Sequence, residues 1–253
     1  MEKRSTNERS ASIRRTLLGL RVTLALIAIN IAVYVAMVVA AHGVVFTKDV
    51  FIQFGAGYTP LMRQGEWWRL VTAAFVHGSP DHILWNMVGL YFLGRYLEPR
   101  YAPLRFALLY AVGTLISSAG TVVWLWDSRI VFVGASGAIS ALIGAGAISA
   151  LRMGELGRAF RNSMIGWGAM VLVNGFLYSA NNVAHASGLL TGIVLVALFG
   201  RRGRAAWTPR ETGGLSFDER DGTACGTCGA LNPLGSRFCG RCGRSLAEAL
   251  SQP

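Results

Sequence analysis

Long stretches without charge constrain this sequence more than any other feature. Val22–Thr47, Phe106–Trp126, Ile130–Leu151 and Asn162–Gly200 contain no Asp, Glu, Lys or Arg. A helix needs about 20 mostly apolar residues to span a bilayer. Charged residues make up 15% of the chain, whereas soluble domains carry about a quarter. The stretches therefore predict membrane helices, and the high apolar content excludes a disordered chain.

These stretches predict an all-α membrane protein built as a six-helix bundle. Asn162–Gly200 is long enough for two short helices joined by the polar turn 179–182. The shorter uncharged stretch His82–Gly94 can still cross because the long side chain of Arg95 can reach the membrane surface. The predicted helices are 19–40, 82–98, 104–125, 134–151, 163–179 and 183–200, within a membrane domain of residues 19–200.

Basic residues accumulate in alternate loops. Cytosolic loops of membrane proteins are enriched in Lys and Arg, so the pattern predicts a multi-pass protein of the cell membrane with both termini in the cytosol. The segment 1–18 is then a basic cytosolic N-terminus, and the loop 41–81 faces outward. The abundance of Arg over Lys is typical of a GC-rich bacterial genome. The basic clusters are Lys3, Arg4, Arg9, Arg14 and Arg15; Arg95, Arg100 and Arg105; Arg152, Arg158 and Arg161; and Arg201, Arg202 and Arg204.

Polar residues recur near the outer ends of three predicted helices. His82 and Asn86 are four residues apart and share one face of the second helix. Ser136 lies in the fourth helix and His185 in the sixth, each within about 10 Å of the outer boundary at about 1.5 Å per residue. Polar side chains at membrane depth are costly, so these residues are candidates for function.

Small residues predict that the fourth and sixth helices pack closely. Gly, Ala and Ser allow helix backbones to touch in lipid, and spacings of three and four place residues on one face. Such packing would bring the His185 imidazole beside the Ser136 hydroxyl. The small faces are Gly137, Ser140 and Gly144 on one helix, and His185, Gly188 and Gly192 on the other.

This arrangement predicts a serine nucleophile with a histidine base. Histidine is suited to take the serine proton near neutral pH. The Ser136 backbone amide, His82 and Asn86 could stabilise an oxyanion. The predicted helices place no carboxylate beside His185, so the pair would be a dyad. Taken singly, each residue has a simpler interpretation as a packing or hydrogen-bonding group, and His42 and His77 are predicted to be loop or interfacial residues.

Four motifs, in this order and on these helices, resemble the rhomboid intramembrane serine proteases over roughly residues 20–200. The resemblance implies a Ser136–His185 dyad in a water-filled cavity open to the outside, an oxyanion hole of His82, Asn86 and the Ser136 amide, and Gly134 at the substrate-binding edge. It also implies that substrates are single-pass membrane proteins cleaved within or beside the transmembrane segment. The motifs are Trp68-Arg69, His82-x-x-x-Asn86, Gly134-x-Ser136-Gly137 and His185-x-x-Gly188-x-x-x-Gly192.

One position departs from the family pattern. Ser140 stands where family members usually carry an aromatic residue beneath the histidine.

Two other classes of function remain as alternatives. A proteolytically silent rhomboid-like protein that binds membrane clients is the first alternative, although such relatives generally lose the serine or the histidine. A transporter or channel is the second, but it predicts intramembrane charges or discontinuous helices in paired halves, and the sequence shows neither clearly.

The C-terminal part predicts a small zinc ribbon. Residues 201–221 are rich in Arg, Gly, Thr and Pro and indicate a linker, and 247–253 form a tail. Two Cys-x-x-Cys pairs within 222–246 have the spacing of a tetrahedral zinc site. The zinc is predicted to be structural, with a regulatory or partner-binding role for the ribbon, and nucleic acid is the less favoured partner. The cysteines are Cys225, Cys228, Cys239 and Cys242.

Overall fold

The computed structural model describes two parts of the chain. The larger part comprises residues 19–151, 154–177 and 181–199. In the C-terminal part, residues 222–226, 228, 229, 231–233, 239 and 246 are described. The predicted N-terminal segment 1–18, the linker 201–221 and the tail 247–253 lie outside the described residues, as does Cys242.

Six long helices make up most of the described chain, and the predicted all-α class is confirmed. Five of the six begin and end within three residues of the predicted bounds. The second helix has a proline at its first position. The Ser79 hydroxyl caps it by accepting a hydrogen bond from the His82 N–H. The helices are α1 (Arg21–Ala41), α2 (Pro80–Tyr101), α3 (Pro103–Trp124), α4 (Ser136–Ala150), α5 (Gly154–Leu177) and α6 (Asn182–Phe199).

Helix α5 begins at Gly154, whereas the sequence predicted a start at 163. Arg158 and Arg161 therefore lie on the helix and not in a connecting loop. The prediction failed because charged side chains interrupt an apolar stretch without interrupting the backbone hydrogen bonds, and Arg is a good helix former. An uncharged stretch marks the apolar part of a helix, and the helix can extend beyond it.

The helices differ in how much lipid they can face. By length and composition alone, α1 and α3 are the two helices of the described chain that could cross a membrane. Helix α4 is apolar but has only 15 residues, or about 22 Å. Eleven of those residues are buried, because α2, α3, α5 and α6 all pack against α4. Helix α4 is therefore the centre of the bundle, covered by protein and not by lipid.

Glycines on α4 and α6 allow the two backbones to touch. A Cβ at Gly192 would overlap the carbonyl group of Ala141, and a Cβ at Gly188 would overlap the carbonyl of Gly137. The predicted pairing of small faces is therefore present, and no side chain larger than hydrogen fits at these two positions. This crossing fixes the distance between the first turns of α4 and α6.

A buried carboxylate fastens α1 to α2. Glu98 is fully buried and accepts hydrogen bonds from the backbone N–H groups of Val22 and Thr23, each at 2.9 Å, and from the Thr23 hydroxyl at 2.6 Å. The N–H groups of a first helical turn have no partner within the helix. Glu98 satisfies them and places negative charge at the positive end of the helix dipole.

The loop between α1 and α2 is ordered by a buried arginine and a two-stranded sheet. Arg69 donates to the carbonyls of Ile52 and Ala56 and pairs with Glu66 at 2.6 Å. Strand β1 (Gly57–Tyr58) pairs antiparallel with β2 (Val131–Phe132), which precedes α4. The loop thereby holds the chain that leads into α4. Its helical turns are Lys48–Gln53, Thr59–Met62, Arg69–Thr72 and Ala73–Phe75.

Candidate active site

Ser136 is the first residue of α4. Gly134, two residues earlier, has φ +111°, a conformation that L side chains rarely adopt, and its N–H donates to the Ala73 carbonyl at 2.9 Å. The first hydrogen bond of the helix runs from the Ile139 N–H to the Ala135 carbonyl. The N–H of Ser136 therefore precedes the hydrogen-bonded part of the helix, and it is available to a ligand beside the Ser136 hydroxyl.

His185 lies within hydrogen-bond distance of Ser136. Its Nε2 is 2.9 Å from the Ser136 Oγ, and the residue is 6% exposed. For Nε2 to accept the serine proton, the ring must carry its own proton on Nδ1. The two ion pairs of the described chain are Arg63–Asp127 and Arg69–Glu66, so no carboxylate of that part orients the imidazole. The geometry is that of a pair and not of a triad.

His82 presents a hydrogen-bond donor toward the same place. Its Nδ1 accepts the Gly78 N–H at 3.3 Å, so in the neutral ring the proton belongs on Nε2. A Cβ built on Gly134 would lie 2.7 Å from this Nε2. Glycine at 134 therefore leaves room for His82, and the Nε2–H of His82 faces the segment just before Ser136.

Asn86 follows His82 by one turn of α2 and lines the same cavity. Its Nδ2 donates to the His82 carbonyl at 2.8 Å, and the side chain is buried. An amide nitrogen carries two hydrogens, so one remains for a further acceptor. The sequence-predicted residues Ser136, His185, His82, Asn86 and Gly134 are thus all brought to one site.

The site lies in a cavity of about 1070 Å³. One side of the cavity is polar and is formed by α3 and the start of α6. The side between α2 and α5 is apolar. A chamber of this size beside a serine can hold both a peptide segment and the water that hydrolysis consumes. The polar side carries Ser117, Ser118, Thr121, Asn181 and Asn182, and the apolar side carries Trp85, Trp167, Met170 and Val171.

Ser140, the residue at the usually aromatic position, is buried directly under the α4–α6 crossing. Its hydroxyl donates to the Ser136 carbonyl at 2.8 Å. A Cβ at Gly188 would lie 3.2 Å from the Ser140 Cβ, so the α6 backbone occupies the space that a ring would need. Close backbone packing takes the place of the aromatic side chain in this part of the bundle.

Sequence reasoning missed the surroundings of His82. His77 lies in a loop as predicted, but it is fully buried instead of interfacial, and its ring packs against the edge of His82 with 5.1 Å between centroids. The uninterrupted apolar segment Ala73–Val76 just before it was the signal that could have indicated burial. His77 thus contacts the ring whose Nε2 approaches Gly134.

The burial of His77 predicts acid sensitivity. Burial, and secondly the neighbouring His82, lower the pKa of His77 from 6.5 to about 3. The unfolded chain therefore takes up a proton near pH 6.5 while the folded chain does not, so the stabilisation is complete above that pH and declines as the pH falls toward 3. We expect the thermal unfolding midpoint in detergent to fall between pH 7 and pH 5.

The matched variant His77→Gln removes the titrating group from this environment. We expect it to be less stable than wild type at pH 7 and to show a shallower decline on acidification. An equally steep decline in His77→Gln would assign the acid sensitivity to other groups.

A second missed contact joins α3 to the start of α6. The Asn181 side chain accepts the Ala184 N–H at 3.1 Å and donates to the Thr121 hydroxyl at 2.6 Å. The first bond caps α6, and the second fixes the capped turn to the neighbouring helix. Since His185 lies on that turn, this tie sets the position of its imidazole relative to Ser136.

Asn181→Ser and Thr121→Val test this tie. Serine retains a capping oxygen but cannot reach Thr121 as a donor, and valine removes the acceptor with little change of shape. We expect each to reduce kcat/KM for peptide cleavage by about tenfold, because small displacements of reacting groups carry large penalties. The double variant should lose no more than either single one. Additive losses would show that the two side chains act separately.

Together, the fold and the site define a helical membrane-protein bundle that encloses a chamber, polar on one side, with a serine–histidine pair. Comparison with known proteins agrees with this class. The Rhomboid domain matches residues 64–202, more than half of the chain. The rhomboid-family protein YdcA of Bacillus subtilis is 32% identical over 172 residues, covering 67% of this chain and 84% of that protein.

Two further relatives are named rhomboid proteases. AarA of Providencia stuartii is 25% identical over 206 residues, covering 72% of this chain and 73% of AarA. GlpG of Yersinia enterocolitica is 29% identical over 190 residues, covering 74% of this chain and 65% of GlpG. The chain belongs to the rhomboid family. It is therefore an integral membrane protein and an intramembrane serine protease by class.

Proposed function

We propose that Ser136 and His185 are the catalytic dyad and that the enzyme cleaves transmembrane segments of single-pass membrane proteins. The observation that carries the proposal is the 2.9 Å separation of the Ser136 Oγ and the His185 Nε2 inside a cavity with one polar side. Serine is a weak nucleophile until a base removes its proton, and His185 is the base within reach.

In the proposed reaction, His185 takes the Ser136 proton as the Oγ bonds to the scissile carbonyl carbon. The carbonyl oxygen then becomes an oxyanion. Collapse of this intermediate breaks the C–N bond, and His185 gives its proton to the leaving amine. Water from the cavity then attacks the acyl carbon and gives a proton to His185. The ester C–O bond breaks, the new carboxyl group leaves, and His185 returns its proton to the Ser136 Oγ. The cycle leaves Ser136 and His185 as they began.

The donors proposed for the oxyanion are the Ser136 N–H, the His82 Nε2–H and the second Nδ2–H of Asn86. The tautomer of His82 is supported by the bond from Gly78 to its Nδ1. Preorganised donors of this kind contribute about 3 kcal/mol each to the transition state. Gly134 is proposed as the edge along which the substrate backbone lies, since it carries no side chain and lines the cavity.

The orientation is proposed from the basic clusters. Both termini would lie in the cytosol, and the cavity at the starts of α2, α4 and α6 would open toward the outer face. Exposed tryptophans near this end, including Trp68 and Trp124, suit a position at the membrane–water boundary. In this orientation water reaches Ser136 from the outside.

The test uses the full chain in liposomes, a fluorescent fluorophosphonate and a single-pass test substrate. We expect the probe to label the protein and the substrate to be cut within or beside its transmembrane segment. A folded protein that binds the substrate but neither cuts it nor takes the label would favour the client-binding alternative. Cleavage only in a soluble loop of the substrate would overturn the proposed substrate class.

The C-terminal cysteines are proposed to hold a structural zinc ion. The Sγ atoms of Cys225, Cys228 and Cys239 all lie within 4.8 Å of one another, and Cys228 and Cys239 are 3.6 Å apart. Tetrahedral Zn–S bonds of about 2.3 Å place two sulfurs about 3.8 Å apart. Cys225 directly follows β3 (Gly222–Ala224), which pairs with β4 (Leu231–Pro233). Cys242 is proposed as the fourth ligand, and regulation or partner binding as the role of the ribbon.

Metal analysis checks the zinc proposal. We expect about one zinc ion per chain in the purified protein and loss of that zinc in Cys228→Ser, because three ligands hold zinc far less tightly. Proteolytic cleavage of a transmembrane substrate should persist in the same variant, since the dyad contains no cysteine. Zinc content unchanged by Cys228→Ser would contradict the assignment.

A further inference from the structure

A second cavity lies between α2 and α5, at the end of the bundle opposite Ser136. It measures about 480 Å³. Its residues on α2 begin at Phe92, ten positions after His82, which corresponds to about 15 Å along the helix. The chamber that holds the dyad is lined by α2 as far as Gly89, so the two cavities are neighbours along this helix. The lining consists of Phe92, Leu93, Arg95, Tyr96, Arg100, Phe160, Ser163, Met164 and Trp167.

Two arginines form the outer part of this cavity. Arg95 and Arg100 are both exposed, and neither takes part in the ion pairs of the described chain. Arg100 lies over the Tyr96 ring, with its Cζ 3.6 Å from the centroid, which holds the guanidinium at the cavity wall. Among the described residues that line the cavity there is no carboxylate. This described part of the opening therefore carries net positive charge.

The inner part of the cavity is apolar. Tyr96 stacks on Phe160 with 3.5 Å between centroids, so the ring pair bridges α2 and α5. Met164 is buried, and Phe92 is 58% exposed on the outer surface of the bundle. The cavity thus combines a cationic opening near a helix end with an apolar slot that runs toward the membrane interior.

We propose that this cavity binds an anionic phospholipid. Arg95 and Arg100 would contact the headgroup phosphate, since guanidinium groups bind phosphate well. One acyl chain would lie along Phe92, Met164 and Trp167. A zwitterionic lipid also has a phosphate, but the cationic group of its headgroup would be repelled by the two arginines. A soluble phosphate compound would leave the apolar slot empty. Charge and shape together therefore favour a lipid with net negative charge.

Trp167 connects this lipid site to the protease chamber. Its side chain lines both cavities. A lipid chain against one face of the indole would hold α5 in place along the apolar side of the chamber. Occupancy of the lipid site would thereby affect how readily a substrate segment enters beside Ser136.

Native mass spectrometry of the delipidated full chain in detergent tests the proposal. The probes are phosphatidylglycerol and phosphatidylcholine with identical acyl chains. Each arginine near a lipid surface contributes about a fivefold preference for negative charge, so the wild type should prefer phosphatidylglycerol by roughly 30-fold. Arg95→Gln/Arg100→Gln should reduce this preference to about threefold or less.

The matched control is Arg105→Gln/Arg129→Gln, which removes the same charge from two exposed arginines outside the cavity. It should keep the wild-type preference. Ser163→Phe should weaken phosphatidylglycerol binding at unchanged charge, by filling the slot. Equal preference in the two double variants would overturn the proposal. So would displacement of the lipid by millimolar inorganic phosphate. Because binding is read without proteolysis, these outcomes are independent of the catalytic proposal.

Discussion

Replacing Ser136 by alanine is expected to abolish both fluorophosphonate labelling and cleavage of a transmembrane substrate. The loss should be at least about ten-thousandfold in kcat, the scale seen when a serine nucleophile is removed from other serine proteases. The structural basis is the position of the Ser136 Oγ, 2.9 Å from the His185 Nε2 and beside the free N–H groups of the α4 N-terminus. No other serine of the described chain forms a hydrogen bond with a histidine ring; the Ser79 hydroxyl bonds to His82 only at its backbone N–H.

His185→Ala should produce a loss of similar size, because a dyad without its base leaves the serine hydroxyl protonated. The double variant Ser136→Ala/His185→Ala should be no worse than either single variant, since residues that act as a unit are not additive. Both single variants should bind the substrate with wild-type affinity. A weaker interaction with substrate in both would indicate a structural effect and not a chemical one.

Ser187→Ala is the matched control for the nucleophile. Ser187 is another serine near the site and lies on α6, two residues from His185. Its hydroxyl donates to the Val183 carbonyl of its own helix at 2.6 Å. We expect full labelling and at most a small change in rate. Substantial cleavage by a folded Ser136→Ala protein, by contrast, would show that the nucleophile lies elsewhere.

Gly192→Ala is expected to lower both stability and cleavage strongly, although Gly192 touches no reacting atom. The added methyl group would overlap the carbonyl of Ala141, and its nearest neighbours are backbone atoms that cannot rotate away. Helices α4 and α6 must therefore separate. We expect stability to fall by about 3 kcal/mol and cleavage to fall by about a hundredfold as Ser136 and His185 move apart.

Gly166→Ala provides the control for this variant. Gly166 lies on α5, and a Cβ there would meet nothing within 4 Å. Alanine is the better helix former by about 1 kcal/mol, so this variant should be as stable as wild type or slightly more stable. The thermal unfolding midpoint and the cleavage rate of both variants are measured in the same detergent. Wild-type values for Gly192→Ala would contradict the close contact between the α4 and α6 backbones.

Much of the membrane domain follows from hydropathy. The helices α1, α3 and α6 were predicted to within two residues at each end, because an apolar stretch and a membrane-type helix nearly coincide there. Helix α5 was placed nine residues too late, because its first turns carry Arg158 and Arg161. The prediction was wrong at the start of α5, because the helix there extends beyond the apolar stretch.

The residues at the candidate site can also be predicted from the sequence, since a polar group in an apolar helix is costly and therefore conspicuous. This argument identifies Ser136, His185, His82 and Asn86. Their catalytic roles remain proposals. The contacts of Thr121 and Asn181 were not foreseen, because a 2.6 Å bond between residues 60 positions apart leaves no local pattern. The second cavity, with Arg95 and Arg100, likewise requires the relative placement of α2 and α5.

The sequence by itself determined the class of this protein: its long uncharged stretches make a bundle of membrane helices, and its motifs place it in the rhomboid family. Local rules of burial and helix periodicity are sufficient for the first conclusion, and the second rests on the resemblance of the motifs to those of the family. Only the tertiary structure decided how close the helices come. The 2.9 Å contact of Ser136 with His185 and the burial of His77 depend on how separate elements pack. The first of these is set by backbone contact at Gly188 and Gly192; the sequence indicates that these small faces pair, but the distance between the two helices follows only from their packing.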